Sequence, residues 1–128
     1  MSSSVSIEEL FLSGYSILIV EDSGFQAAEI DDIVTYAGAN VVGPARDLEQ
    51  ARRLLDTKPV DAAVLDINLD GQVIFPFARE LSSDGMPFLF LSGSITHPLM
   101  DTEFRETPCV DKPVRERMLL ETLRTILL

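Results

Sequence analysis

Several short apolar runs in the sequence end at residues that could do chemistry. The residues at these ends are Glu21 with Asp22, Asp66, Ser92 and Lys112. Carboxylates, a hydroxyl and an ammonium group can together hold a hard cation and stabilise a phosphoryl group. Taken singly, each residue has a structural explanation, since an aspartate can cap a helix and a serine before a glycine can form a turn. Their shared position at the ends of apolar runs favours a common site.

Three converging carboxylates need a compensating charge. Two negative charges about 4 Å apart repel by roughly 4 kcal/mol at an effective dielectric constant near 20. A hard divalent cation with oxygen ligands, Mg²⁺ in particular, meets this need. An aspartate beside such a cation, a lysine and a hydroxyl is equipped to accept a phosphoryl group as an acyl phosphate. Asp66, directly behind the buried run Ala62–Leu65, is the predicted acceptor.

The apolar runs predict five short strands. They are short, rich in branched or aromatic residues and largely without polar alternation, as is typical of strands buried on both faces of a parallel sheet. The runs are 16–20, 41–42, 62–65, 88–91 and 109–110. Gly43-Pro44 is expected to close the second strand.

Between the runs the apolar period becomes helical. The expected apolar faces are Phe25, Ala28, Ile33 and Ala37; Leu48, Ala51, Leu54 and Leu55; Val73, Ile74, Phe77, Ala78 and Leu81; and Met118, Leu119, Leu123, Ile126 and Leu127. Asp47–Gln50 resembles a capping box. A short helix with Leu99, Met100 and Phe104 could lie in the weakly periodic segment 96–106.

Alternating strands and helices predict an α/β fold, a flavodoxin-like doubly wound five-stranded parallel sheet with helices on both faces. In such sheets ligands bind beyond the carboxyl ends of the strands. The residues that end the strands should therefore meet at one edge.

Composition sets further bounds. A length of 128 residues fits one domain, here a lead-in of residues 1–14 followed by a domain over 15–128, and mean hydropathy is +0.19. The net charge of −11 disfavours nucleic acid and anionic membranes as partners. No stretch is long and apolar enough to span a bilayer, the N-terminus lacks a secretory signal, and Cys109 is the single cysteine, so we expect a cytoplasmic protein.

The sequence resembles the receiver domains of two-component response regulators over roughly residues 15–127. The matching stretches are Ile17–Asp22, Val64–Asn68, Phe90–Gly93 and Asp111–Pro113. Each is short, but their order and spacing together are specific.

The resemblance implies a role for each matching residue. Asp66 would be the phosphoacceptor, and Mg²⁺ would be held by Glu21, Asp22, Asp66 and the backbone carbonyl of Asn68. Ser92 and Lys112 would each contact a phosphoryl oxygen, and the bond between Lys112 and Pro113 would be cis. The domain would catalyse only its own phosphorylation and dephosphorylation, so it would not be an enzyme in the usual sense.

The sequence departs from the family pattern at two places. Many receivers carry an aromatic residue three positions before the lysine, where this chain has Cys109, expected to be an inert core thiol. The segment between Ser92 and Lys112 is short and poorly helical. The route by which phosphorylation would reach an output surface is therefore open.

We expect no output region beyond residue 128, so the predicted function is phosphoacceptor signalling through protein contacts, or transfer of phosphoryl groups within a phosphorelay. The expected partners are a sensor histidine kinase or histidine phosphotransfer protein and a downstream protein. The last helix, with Leu120 and Leu128 beyond its main stripe, either packs the chain end or forms a contact with a second copy or another partner protein. Two alternatives are a receiver-like binding module that is not phosphorylated and a small phosphohydrolase, the latter disfavoured because no second acid lies two residues after Asp66.

Overall fold

The computed structural model describes residues 11–93 and 102–128, and within them five parallel strands form one sheet. The strands are β1 (Ser16–Val20), β2 (Asn40–Ala45), β3 (Ala62–Asp66), β4 (Phe88–Ser92) and β5 (Cys109–Asp111). Their order across the sheet is β2-β1-β3-β4-β5, and every neighbouring pair is parallel. The prediction of a flavodoxin-like doubly wound sheet is confirmed.

Four α-helices occur in the described ranges. They are α1 (Gly24–Tyr36), α2 (Leu48–Thr57), α3 (Phe75–Ser83) and α4 (Glu116–Leu127). Buried residues of α1 and α4 pack together on one face of the sheet, and those of α2 and α3 pack on the other. This division follows from right-handed crossovers between parallel strands.

The central strands are apolar throughout because both of their faces are covered. In β1, Ile17 and Ile19 join the core beneath α1 and α4, whereas Leu18 and Val20 join the core beneath α2 and α3. All five residues of β3 are buried, including Asp66. Alternate side chains of a central strand thus pack into the two cores on opposite faces of the sheet, and the strand ends are held between these cores.

Polar caps start the helices that follow β1 and β2. Ser23 caps α1, its hydroxyl accepting a hydrogen bond from Gln26 N at 3.3 Å. Asp47 caps α2 by accepting from Gln50 N at 2.8 Å, and Gln50 Oε1 in turn accepts from Arg46 N at 2.9 Å. The expected capping box is therefore present in a variant form. Gln50 accepts from the amide of Arg46, whereas in the standard box it would accept from the amide of the cap residue itself.

The expectation that Gly43-Pro44 closes the second strand is wrong, because β2 continues to Ala45. β2 lies at the edge of the sheet, where the missing N–H of proline leaves no ladder bond unmade. Gly43 has φ +97°, and a Cβ there would lie 2.6 Å from Ala45 N. Glycine is thus required for the irregularity that carries the strand past Pro44.

Several expected core positions are exposed. The buried residues of α1 are Ala27, Ile30 and Val34, whereas Phe25 is 81% exposed and Ala28 is also exposed. Val73 is exposed because α3 begins only at Phe75. These positions were misassigned because a helical period fits more than one set of residues, and the set that faces the sheet depends on how the helix packs.

In α4 the expected face is corrected in the same way. Leu119, Leu120 and Leu123 are buried, so Leu120 belongs to the core rather than lying beyond it. Met118 is 52% exposed and Leu128 is exposed at the chain end.

Residues 102–107 form turns rather than a helix, and Leu99 and Met100 of the expected helix lie outside the described residues. Phe104 is buried, stacking on Phe75 with ring centroids 5.3 Å apart. Arg79 and Glu103 form a two-pronged ion pair, with Nε–Oε2 at 2.6 Å. Ring packing and this ion pair fix the segment against α3.

The lead-in is described only from residue 11, so Ile7 and Leu10 of the expected helical turn lie outside the described residues. Leu12 is fully buried, and its N–H donates to Ala37 O at 2.9 Å. The domain boundary after residue 14 stays a prediction. No helix in the described part of the chain is long and apolar enough to cross a bilayer.

Candidate functional site

The carboxyl ends of β1, β3, β4 and β5 bring most of the expected residues to one edge of the sheet. The register pairs Val20 with Leu65, and Asp66 with Leu91, so adjacent strands end nearly level. Glu21 and Asp66 are each 1% exposed, and Ser92 is 3% exposed. Burial of three polar side chains among apolar neighbours is costly unless they pair with one another or with a ligand.

Lys112 joins the two buried carboxylates. Its Nζ lies 3.1 Å from Asp66 Oδ1 and 3.3 Å from Glu21 Oε1. The backbone holds the lysine at this height, because Lys112 N donates to Ser92 O at 2.8 Å. The peptide bond between Lys112 and Pro113 is cis, as the resemblance implied.

The pKa of the Glu21 carboxyl group is raised from 4.5 to about 7. Burial is the largest cause, and the neighbouring carboxyl group of Asp66 acts in the same direction. The hydrogen bond from Ser23 N to Glu21 Oε2, at 3.1 Å, and the charge of Lys112 act in the opposite direction. Desolvation and like charge therefore outweigh the one ammonium group nearby.

The oxygen atoms of Glu21, Asp22 and Asp66 converge as a metal site would require. One carboxylate oxygen from each lies within 4.8 Å of the other two. Glu21 Oε1 is buried and makes no hydrogen bond, its contact with Lys112 Nζ being ionic without hydrogen-bond geometry. A hard cation among these oxygens would satisfy this atom and offset the excess negative charge.

The loop after β3 is tied to two of these carboxylates. Asn68 N donates to Asp66 Oδ1 at 3.0 Å, and Asp70 N donates to Asp22 Oδ2 at 2.9 Å. Asn68 thus lies beside the cluster, as expected, with its amide bonded to Asp66. These bonds fix one oxygen of each aspartate.

Ser92 lies at the end of the neighbouring strand β4. Its hydroxyl donates to Gly93 O at 3.2 Å. Ser92 is therefore at the expected edge, and its hydroxyl bonds to the backbone of the residue that follows it.

The expectation that Cys109 is a core thiol is wrong, because the residue is exposed. β5 is the other edge strand, and its alternation places Val110 inward and Cys109 outward. Partial desolvation raises the pKa of the thiol, the charge of Asp111 adds to the rise, and the hydrogen bond with Ser92 lowers it.

Sequence reasoning missed Asp70 and Gln72 as parts of the site. Asp70 contributes its backbone amide to Asp22, and Gln72 Oε1 accepts from Leu48 N at 3.0 Å. Neither role has a signal in residue type, since each depends on the path of the loop after β3.

The response regulator receiver domain family matches residues 17–124, which is most of the chain. The chain belongs to this family. Its fold is that of a receiver domain of two-component signalling. No curated protein matches the chain in sequence.

Solved receiver structures resemble the chain over most of its length. The solution structure of SdrG from Sphingomonas melonis Fr1 is 28% identical, with a TM-score of 0.75, covering 92% of this chain and 98% of that one. PhyR from Brucella abortus is 27% identical, with a TM-score of 0.76, covering 93% of this chain and 50% of that one. The chemotaxis protein CheY4 of Vibrio cholerae, 24% identical with a TM-score of 0.77 over 88% of this chain and 98% of that one, shares the fold.

Proposed function

We propose that this receiver domain is a phosphoacceptor that carries the phosphoryl group on Asp66. The observation that carries the proposal is the setting of Asp66: a fully buried strand-end carboxylate 3.1 Å from an ammonium group and within a three-carboxylate cluster. A carboxylate buried only for packing would not need two further acids beside it. Membership of the receiver family supports the same reading.

In this proposal Mg²⁺ is held by Glu21, Asp22, Asp66 and the backbone carbonyl of Asn68. The convergent carboxylate oxygens and the orphaned Glu21 Oε1 support this ligand set. When bound, the cation offsets negative charge on the phosphoryl oxygens. Receiver domains are not enzymes with a separate substrate, and any dephosphorylation here would be of the domain's own acyl phosphate.

The transfer can be written from the residues present. An oxygen of Asp66 attacks the phosphorus of a phosphohistidine, the P–N bond breaks, and the imidazole nitrogen leaves with the electron pair. Lys112 Nζ, already beside Asp66 Oδ1, then pairs with one phosphoryl oxygen. The Ser92 hydroxyl exchanges its bond to Gly93 O for one to another phosphoryl oxygen. Attack of water on phosphorus returns the carboxylate and releases phosphate.

The partners in this proposal are proteins. A sensor histidine kinase or histidine phosphotransfer protein would supply the phosphoryl group, and a downstream protein would read it, in the cytoplasm. One similar structure, a double mutant of PhyR from Bartonella quintana at 25% identity, is described as an anti-anti-sigma factor. Exposed Met118 on α4 supports a contact with a second copy through that helix.

The test is incubation with a small acyl phosphate donor in Mg²⁺ or EDTA. The proposal expects one phosphoryl group per chain in Mg²⁺, little in EDTA, and none in Asp66→Asn. Phosphorylation that persists in Asp66→Asn would sink the assignment.

A second candidate is a receiver-fold binding module that is not phosphorylated. Cys109 favours it, because this exposed thiol stands where many receivers carry an aromatic residue that reports the movement of Ser92. Mg²⁺ titration followed by NMR separates the two candidates. Saturable binding with shifts at Asp22 and Asn68 favours the phosphoacceptor, and no saturable binding favours the module.

A further inference from the structure

The loop between β3 and α3 presents Asn68 to the proposed metal site and is held by a set of hydrogen bonds. Its backbone donates from Asn68 to Asp66 and from Asp70 to Asp22. At its far end Gln72 N donates to Leu69 O at 3.0 Å, and Gln72 Oε1 accepts from Leu48 N at 3.0 Å. Only the last of these bonds reaches a different layer of the fold, the first residue of α2.

We propose that Gln72 is a positioning residue for the metal site, acting by anchoring this loop to the N-terminus of α2. The proposal rests on the proposed function in one respect, namely that Asp22 and Asn68 are metal ligands. Gln72 itself does not ligate the cation. Its contribution is to hold the loop backbone in the position from which Asp70 N donates a hydrogen bond to Asp22 Oδ2.

The anchor matters because little else holds this part of the loop. Asp70, Gly71, Gln72 and Val73 are all exposed, between the buried side chains of Leu69 and Ile74. Loop segments with few buried contacts open locally at small free-energy cost. One side-chain bond across the 24 residues between Leu48 and Gln72 therefore has a large share in fixing the exposed half.

The partner of Gln72 is a group that needs an acceptor. Leu48 is the first residue of α2, and the N–H groups of a first helical turn have no partner within the helix. The cap residue Asp47 accepts from Gln50 N, so it does not serve Leu48. Gln72 supplies the missing acceptor, and the bond is part-buried. Loss of the Gln72 side chain therefore leaves the Leu48 N–H without this acceptor and removes the side-chain bond that joins the loop to α2.

The loop transmits its position to the carboxylate cluster through Asp22. Asp70 N bonds Oδ2 of Asp22, and the cluster includes one Asp22 oxygen together with Glu21 and Asp66. If the loop drifts, Asp22 loses the donor that orients it. Groups that orient a ligand in this way commonly change metal affinity when removed.

The decisive pair of variants is Gln72→Ala with Gln50→Ala as its matched control. Gln50 is the same residue type at the same helix end, and its Oε1 likewise accepts from a backbone amide, that of Arg46, without reaching the loop. We expect Gln72→Ala to weaken Mg²⁺ binding roughly three- to tenfold, the loss of one oriented hydrogen bond. Gln50→Ala should stay within about twofold of the parent protein. Equal Mg²⁺ affinity in the two variants would overturn the proposal.

Added charge provides a further comparison. In Gln72→Glu a carboxylate oxygen can still accept from Leu48 N, so Mg²⁺ affinity should return to the parent value or exceed it. Gln50 and Gln72 line one groove together with Asp22 and Asp70. Gln50→Glu therefore places the same charge in that groove and controls for simple attraction of the cation. Measured against the corresponding alanine variant, a larger gain in Mg²⁺ affinity for Gln72→Glu than for Gln50→Glu supports anchoring, and equal gains contradict it.

A measurement without metal separates this inference from the proposed function. Amide hydrogen exchange at Asp70 should be faster in metal-free Gln72→Ala than in the parent protein and unchanged in Gln50→Ala. Unchanged exchange at Asp70 in Gln72→Ala refutes the anchor whatever the metal does. If the parent protein shows no saturable Mg²⁺ binding, the proposed metal site fails, while the exchange result still decides the role of Gln72.

Discussion

Lys112 Nζ lies between the two buried carboxylates, 3.1 Å from Asp66 and 3.3 Å from Glu21. One cation thus faces two acids within the protein, and Asp22 adds a third negative charge to the cluster. The site has an excess of negative charge that a divalent cation would offset. Its stability, its pH dependence and its response to metal all follow from this imbalance.

Lys112→Ala should destabilise the metal-free protein by roughly 3 kcal/mol at pH 8, because it leaves two buried carboxylates without their cation. Urea unfolding in EDTA measures this change. Lys58→Ala, at an exposed lysine after α2, serves as the control and should stay within about 0.5 kcal/mol of the parent protein. Equal losses in the two variants would show that the Lys112 contacts contribute nothing.

Glu21→Gln should stabilise the metal-free protein above pH 7 but not near pH 4.5. The folded-state pKa of Glu21 is raised from 4.5 to about 7, so the folded state binds its proton more tightly than the unfolded state. Stability from this group is therefore lost as pH rises from 4.5 to 7, by about 3 kcal/mol at most.

Urea unfolding of the parent protein and of Glu21→Gln, at pH 5 and pH 8 in EDTA, measures how their difference in stability changes with pH. The stability difference between variant and parent should be small at pH 5 and large at pH 8. A difference of the same size at both values would contradict a raised pKa at Glu21.

Asp66→Asn should raise the thermal stability of the metal-free protein. The substitution leaves Lys112 paired with Glu21 alone and keeps an oxygen that can accept from Asn68 N. With saturating Mg²⁺ the gain should shrink, since the cation stabilises only the intact pocket. Melting curves with EDTA and with Mg²⁺ measure both effects, and equal shifts in the two conditions count against a shared metal site.

Cys109 should react slowly with a thiol reagent at pH 7 and faster as pH rises toward 9. The thiol is exposed, but partial desolvation and Asp111 raise its pKa, so little thiolate is present at neutral pH. Asp111→Asn should increase the rate at pH 7, because a charge that opposes ionisation is removed. The rate is followed by absorbance of the released reporter group, and no change in Asp111→Asn would show that Asp111 has no influence.

Much of the fold could be predicted because the central strands are apolar on both faces. Such runs have few alternatives in a chain of this length, and their ends then define the sheet edge where Glu21, Asp66 and Ser92 meet. The position of Lys112 beside the two buried carboxylates could be predicted for the same reason, since it follows directly on the last strand.

The misassigned residues depended on geometry that residue type does not encode. Phe25 fits a helical apolar period, but α1 begins at Gly24 and its sheet-facing side passes through Ala27 and Ile30. Cys109 is apolar by type, yet the side-chain alternation of the edge strand β5 leaves it exposed. The bond between Gln72 and Leu48 depends on the path of the loop, which residue type does not show.

The most direct test of the central claim is tandem mass spectrometry after reaction with a small acyl phosphate donor and Mg²⁺. Asp70→Asn is the matched control for Asp66→Asn. It neutralises an exposed aspartate in the loop that follows Asp66, and it keeps the backbone amide that bonds Asp22. The account predicts a single phosphoryl group on Asp66 in the parent protein and in Asp70→Asn, and none in Asp66→Asn. A phosphoryl group on another residue of the parent protein, or unchanged modification of Asp66→Asn, would contradict it.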